Sequence, residues 1–149
     1  MCARVIFHEN EVTKEELKQA GITCKNDECE LSFQAKKPIL LVEIEGKKKF
    51  VEWGNRDNPE SKLPKTGWAR KESVEKGKWT WLQPIKVKII ANKGFEKGIW
   101  FKIKEGINGL LVTDEKKKEH VYMITEQASH YFQTMTRHDR MPSLINERL

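Results

Sequence analysis

Cys2 follows the initiator Met1 directly, and a late segment reads His138-Asp139-Arg140-Met141-Pro142. The small residue after Met1 suits removal of the methionine by the usual aminopeptidase. Cys2 would then carry an α-amine and a thiol on adjacent carbons. Their reference pKa values are roughly 7.7–8.0 and about 8.5, so both are partly nucleophilic near neutral pH. An amine attacks an aldehyde to give an imine, and a neighbouring thiol closes onto that imine as a five-membered thiazolidine. This 1,2-aminothiol makes the N-terminus a candidate covalent nucleophile. The opposing expectation is an ordinary frayed terminus.

The elements that must position such a terminus follow from the chain's patterning. At 149 residues a single domain over 1–149 is expected, long enough to bury about two-thirds of its unfolded surface. No apolar run approaches the roughly 18 residues of a membrane helix, and no signal-peptide pattern opens the chain. Three cysteines, an odd number, argue against a secreted disulfide framework and for a reducing cytoplasm. Cys24 and Cys29 lack a second ligand pair at similar spacing, so no metal is expected there. They are read instead as flanking a turn through Lys25-Asn26-Asp27.

Ala3–His8 reads as a strand that anchors the N-terminus. Thr13-Lys14-Glu15-Glu16 is a capping box for a helix that Gly21 stops. Pro38–Ile44 and Lys48–Trp53 form a hairpin around Glu45-Gly46-Lys47. Asn55–Lys65, with two prolines and two asparagines, reads as an exposed loop, and Arg70–Lys76 as a short helix. Strands follow at Val87–Ala91, Ile99–Lys104, Leu110–Thr113 and Val121–Ile124. Gly106 with Asn108-Gly109 marks one turn and Asp114–Glu119 another. Thr125 would cap a helix over Glu126–Gln133. Strands in runs predict an α+β fold with a mixed, largely antiparallel sheet, closed in barrel-like fashion, and a few short helices.

Charge is unevenly spread. The formal net is +6, and Glu75–Lys104 alone holds eight lysines against two glutamates. All five tryptophans, Trp53, Trp68, Trp79, Trp81 and Trp100, lie between residues 53 and 100. Lysines interleaved with tryptophans suit a groove that neutralises phosphates and stacks bases. They equally suit strands with a lysine-coated solvent face and a tryptophan-filled core.

Taken in order, these segments resemble the SOS response-associated peptidase (SRAP) family. Met1-Cys2-Ala3-Arg4 looks like the family's Met-Cys-Gly-Arg start, and Trp53-Gly54 like its Trp-Gly element. Trp68-Ala69-Arg70-Lys71-Glu72-Ser73 resembles the Asn-Ala-Arg-x-Glu-Thr motif. Ala91-Asn92-Lys93-Gly94-Phe95-Glu96 resembles Ala-Asp-Gly-Phe-Tyr-Glu, and His138–Pro142 agrees with His-x-Arg-Met-Pro. The resemblance implies a mixed α/β domain that senses abasic sites in single-stranded DNA. It would link itself to them through the mature Cys2 as a thiazolidine, with no cofactor. The family's peptidase name reflects release of Met1, with autoproteolysis as one route.

The same resemblance assigns roles. Cys2 is the nucleophile, Glu96 a proton shuttle, and His138 a second acid/base or a holder of the sugar hydroxyl. Arg4, Arg70 and Arg140 would contact DNA, Trp53 would stack on a base beside the lesion, and Trp68 would contact nucleic acid. Trp68 stands where the family has asparagine, and indole donates but does not accept, so Asn92 or Asn55 would have to substitute. The sequence also stops soon after His138, where family members often continue with further strands. Two alternatives remain from the residues alone. One is a non-covalent single-stranded nucleic-acid binding module, and the other a thiol hydrolase built on Cys2, Glu96 and His138.

Overall fold

The computed structural model describes residues 2–149. Twelve strands are assigned: β1 Arg4–His8, β2 Cys24–Lys25, β3 Glu28–Ser32, β4 Ile39–Ile44, β5 Lys47–Trp53, β6 Trp68–Arg70, β7 Ile85–Ile89, β8 Lys93–Glu96, β9 Ile99–Lys102, β10 Ile107–Thr113, β11 Glu119–Gln127 and β12 Arg140–Pro142. The helices are α1 Lys14–Ala20, α2 Lys71–Glu75 and α3 His130–Thr136. The expected α+β architecture is the one the chain adopts. β10, β7, β4, β5 and β11 pair in turn, and β11 returns to β10, which closes a five-stranded barrel-like ring. β2, β3, β1, β8 and β9 form a separate, wholly antiparallel sheet in that order. Only β11 departs from antiparallel pairing, running parallel to β5 and β6.

Burial explains why β10 and β11 read as unbroken apolar runs. Leu111, Val121 and Met123 enter the main core, while Leu110, Val112, Tyr122 and Ile124 face the other way into a second cluster with Leu63 and Trp79. A strand buried on both faces shows no alternation. Elsewhere local chemistry sets the boundaries. Thr13 and Glu16 make the reciprocal capping box, and Gly21 closes α1 in the left-handed conformation at φ 70°. Among the described residues no helix is long and apolar enough to cross a membrane.

Several expectations need correction. Thr125 caps no helix, because β11 continues through Gln127 and pairs with β12. The helix starts at His130, capped by Ser129, whose Oγ accepts from the Phe132 amide at 3.1 Å. Thr125 is β-branched and buried in a cross-strand pair with Pro142, a setting that outweighs its capping tendency. Asn108-Gly109 is strand rather than turn. A Cβ on Gly109 would lie 2.9 Å from Ile89 Cδ1, so the glycine serves packing. Cys24 and Cys29 do flank the Asn26-Asp27 turn of the β2–β3 hairpin, and they are joined by a disulfide. An odd cysteine count excludes complete pairing, not one local pair.

Candidate functional site

Cys2 leads into β1 and is almost wholly buried, at 1% exposure. Its thiol donates to the Arg4 carbonyl at 3.4 Å. It also fills the space left by a missing side chain: a Cβ on Gly94 would lie 3.1 Å from Cys2 Sγ and 2.5 Å from Phe101 Cζ. A glycine inside a strand often marks such a close approach. Burial pushes the Cys2 thiol from its ordinary value of 9.0 up to about 12, against a backbone hydrogen bond from Phe95 and with help from the Glu96 charge. At neutral pH the group is therefore an S–H.

The backbone of Cys2 is held as well. Trp68 Nε1 donates to the Cys2 carbonyl at 3.0 Å. Trp68 is itself wedged against Phe33 and Trp53, with ring centroids 4.8 and 6.0 Å away. Trp53 Nε1 in turn donates to the Gly67 carbonyl at 2.9 Å. The indole thus fixes the N-terminal strand by donating, the role open to it.

Glu96 ends β8 and is buried, and His138 arrives from the loop between α3 and β12. His138 Nε2 lies 3.8 Å from Glu96 Oε1. His138 Nδ1 sits against the Arg140 backbone, 3.0 Å from its amide and 3.2 Å from its carbonyl, which leaves Nε2 as the ring nitrogen on the Glu96 side. α3 sets this loop in place: Phe132 packs edge-on against Phe101 at 5.3 Å, and Thr136 Oγ1 accepts from the His138 amide at 3.3 Å. Four elements distant in sequence (the N-terminal segment, β6, the end of β8 and the α3–β12 loop) therefore supply Cys2, Trp68, Glu96 and His138. An aminothiol beside a carboxylate–imidazole pair can form an imine, exchange the protons involved and close a ring.

The remaining expected residues fall elsewhere. Trp53 has no exposure, so it stacks on no base; it is the brace behind Trp68. Arg140 is buried too. Its Nη1 meets Glu72 at 2.7 Å and its Nη2 meets the Thr125 carbonyl at 2.9 Å, so it ties β12 to β11 and α2 instead of facing DNA. The bond from Arg140 holds the Glu72 carboxyl below the usual range, against partial desolvation. Arg4 lies on the sheet face with Phe95, paired to Glu30 at 2.9 Å and stacked over Phe95 and Trp100 at 4.5 and 5.3 Å. A phosphate would have to compete with that carboxylate. Arg70 is exposed at the end of β6, with no carboxylate within 4 Å among the described residues. Neither proposed substitute reaches Cys2: Asn55 bonds the Leu63 carbonyl and Asn92 the His8 amide.

The tryptophans differ in burial. Trp53 and Trp79 are core, whereas Trp81 and Trp100 are exposed. The positioning glycine Gly94 escaped sequence reasoning, although a glycine within a strand was its available signal. Among the described residues no group of three or more His, Cys, Asp or Glu could hold a metal. Met1, whose removal the chemistry requires, lies outside the described residues. No family model matches the chain, and no match is found among curated proteins.

Proposed function

We propose that this protein captures abasic sites in single-stranded DNA by forming a thiazolidine through Cys2 once Met1 has been removed. The observation that carries this reading is that Cys2, its carbonyl pinned by Trp68, feels the charge of Glu96, which in turn lies 3.8 Å from His138. The ring-opened sugar offers C1′ as an aldehyde. The Cys2 α-amine adds to C1′, and the carbinolamine loses water to give an imine. Glu96 and His138 are suited to take the amine proton and return one to the departing hydroxyl. The thiol then adds to C1′, forming the C–S bond, while its proton goes to the imine nitrogen. Aminothiol and aldehyde become thiazolidine and water, with no change of oxidation state.

The raised thiol value supports this order. A thiol held as S–H is a poor first nucleophile, but it supplies both the sulfur and the proton that ring closure consumes. The same value argues against a thiol hydrolase, which needs a thiolate for its first step. A second reading remains, favoured by the burial of Cys2: a single-strand binding module with no covalent step. It predicts salt-sensitive binding with equal affinity for intact and abasic strands.

A denaturing gel of the protein with single-stranded DNA carrying one abasic site separates the two, with Cys2→Ala alongside. A shifted band that survives denaturation and vanishes in Cys2→Ala is expected. An equal yield from the variant, or no band from protein whose intact mass lacks Met1, rejects covalent capture.

A further inference from the structure

We infer that Lys97 and Arg137 form a cationic lip that grips a phosphate of the single strand flanking the captured lesion. The inference rests on the DNA-capture reading and adds the contact that would hold the strand. Lys97 directly follows Glu96 and Arg137 directly precedes His138, so the two cations bracket the acid–base pair. Lys97 Nζ donates to the Arg137 carbonyl at 3.1 Å, which joins the tip of the β8–β9 hairpin to the end of α3 and sets the Lys97 ammonium beside the Arg137 backbone. Both residues are exposed.

Neither cation is committed to a carboxylate, which among the described residues holds for every lysine except Lys48, Lys49, Lys93 and Lys118. Of the six arginines, Arg4, Arg56, Arg140 and Arg148 each carry a carboxylate partner. Among the described residues, Arg70 and Arg137 have none within 4 Å, and neither has Lys97. Of the two carboxylates beside this lip in sequence, Glu96 lies 3.8 Å from His138 Nε2 and exposed Asp139 3.6 Å from His138 Nδ1. Lys97 and Arg137 hold left-handed conformations, at φ 46° and 60°, where glycine or asparagine would sit with less steric cost. A guanidinium and an ammonium together suit a phosphodiester: the first binds bidentately, the second as a point charge.

The test is the double variant Lys97→Asn/Arg137→Asn. Asparagine tolerates both backbone conformations, and at residue 97 it creates an Asn-Gly pair, the preferred sequence for a two-residue hairpin. Removal of charge is thus separated from loss of fold, and thermal melting verifies it. Fluorescence anisotropy is read across a salt series on intact single strands and on strands with a non-opening abasic analogue. Both should bind roughly a hundredfold more weakly, the loss of two charge-assisted contacts at about tenfold each. The slope of log affinity against log salt should flatten by about 0.7 per phosphate released. Lys97→Arg/Arg137→Lys should restore both. At subsaturating abasic DNA the crosslinking rate should fall in step with affinity. Wild-type affinity and slope in the Asn variant overturn the lip. A wild-type protein that binds strands but never crosslinks sinks the covalent chemistry alone, while one that binds no strand overturns both.

Discussion

Alkylation of Cys2 tests the heart of the site. The sulfurs of Cys24 and Cys29 are bonded to one another, so Cys2 is the one free thiol and a single modification reports on it. Iodoacetamide reacts with thiolate. About three pH units separate the ordinary value from the one Cys2 reaches, so at pH 8 its thiolate fraction is roughly a thousandfold below that of a free cysteine. Burial at 1% exposure slows access further. Intact-mass kinetics on native protein should therefore give a rate at least about a thousandfold below that of the same chain in denaturant. The logarithm of the native rate should keep climbing with unit slope past pH 9, where a free thiol levels off. A native rate within tenfold of the denatured one, or a plateau at pH 9, would refute the buried S–H and with it the argument that the amine attacks first.

Further predictions follow the same geometry. The Cys2 thiol and the Tyr122 hydroxyl both titrate above their ordinary values because of burial. The fold thus favours their protonated forms, and stability is intact below about pH 9 and lost as pH rises; Cys2 alone costs about 1.4 kcal/mol per pH unit above that point. Urea midpoints at pH 8 and 10 measure this loss, and Cys2→Ser should lessen it. Trp68→Phe removes the hydrogen bond to the Cys2 carbonyl while keeping a ring, and should destabilise by about 1 kcal/mol and slow crosslinking in single-turnover gels. Gly94→Ala places a methyl against Phe101 and Cys2, and should lower thermal stability by about 1–3 kcal/mol. Arg140→Gln should destabilise the fold by about 2 kcal/mol, seen as a lower melting temperature, because Glu72 stays half-exposed, and leave the salt slope of binding unchanged. Arg70→Gln should do the reverse.

What the sequence made legible is what local physics decides. The Thr13–Glu16 capping box, the Glu45-Gly46 hairpin and the Asn26-Asp27 turn each depend on a few neighbouring residues, and each is found where expected. The misses depend on partners far along the chain. Thr125 carries a genuine capping signal that pairing with Pro142 overrides. Gly109 has the sequence of a turn, and only Ile89, twenty positions earlier, shows that its absent side chain serves packing. The same distinction divides the site. Cys2, Glu96 and His138 could be proposed one motif at a time, but the 3.8 Å approach of Glu96 to His138 is a product of α3 packing on β9. Trp53 and Arg140 look like ligand-facing groups in a string of letters. Their burial became visible only when Phe33, Glu72 and Thr125 were brought beside them.

Trp68 bears most directly on how this site would work. An asparagine beside the N-terminus could accept a hydrogen bond from the attacking amine, but the indole here can only donate, and it spends that donor on the Cys2 carbonyl. Positioning and proton transfer are therefore assigned to different groups: Trp68 orients the backbone, and the Glu96–His138 pair must handle the amine proton. Glu96→Gln should then lower the crosslinking rate by about a hundredfold near neutral pH, and His138→Ala should add little to that loss, because partners in one relay are not additive. If instead the two losses multiply, Glu96 and His138 act on separate steps and the 3.8 Å contact between them is structural.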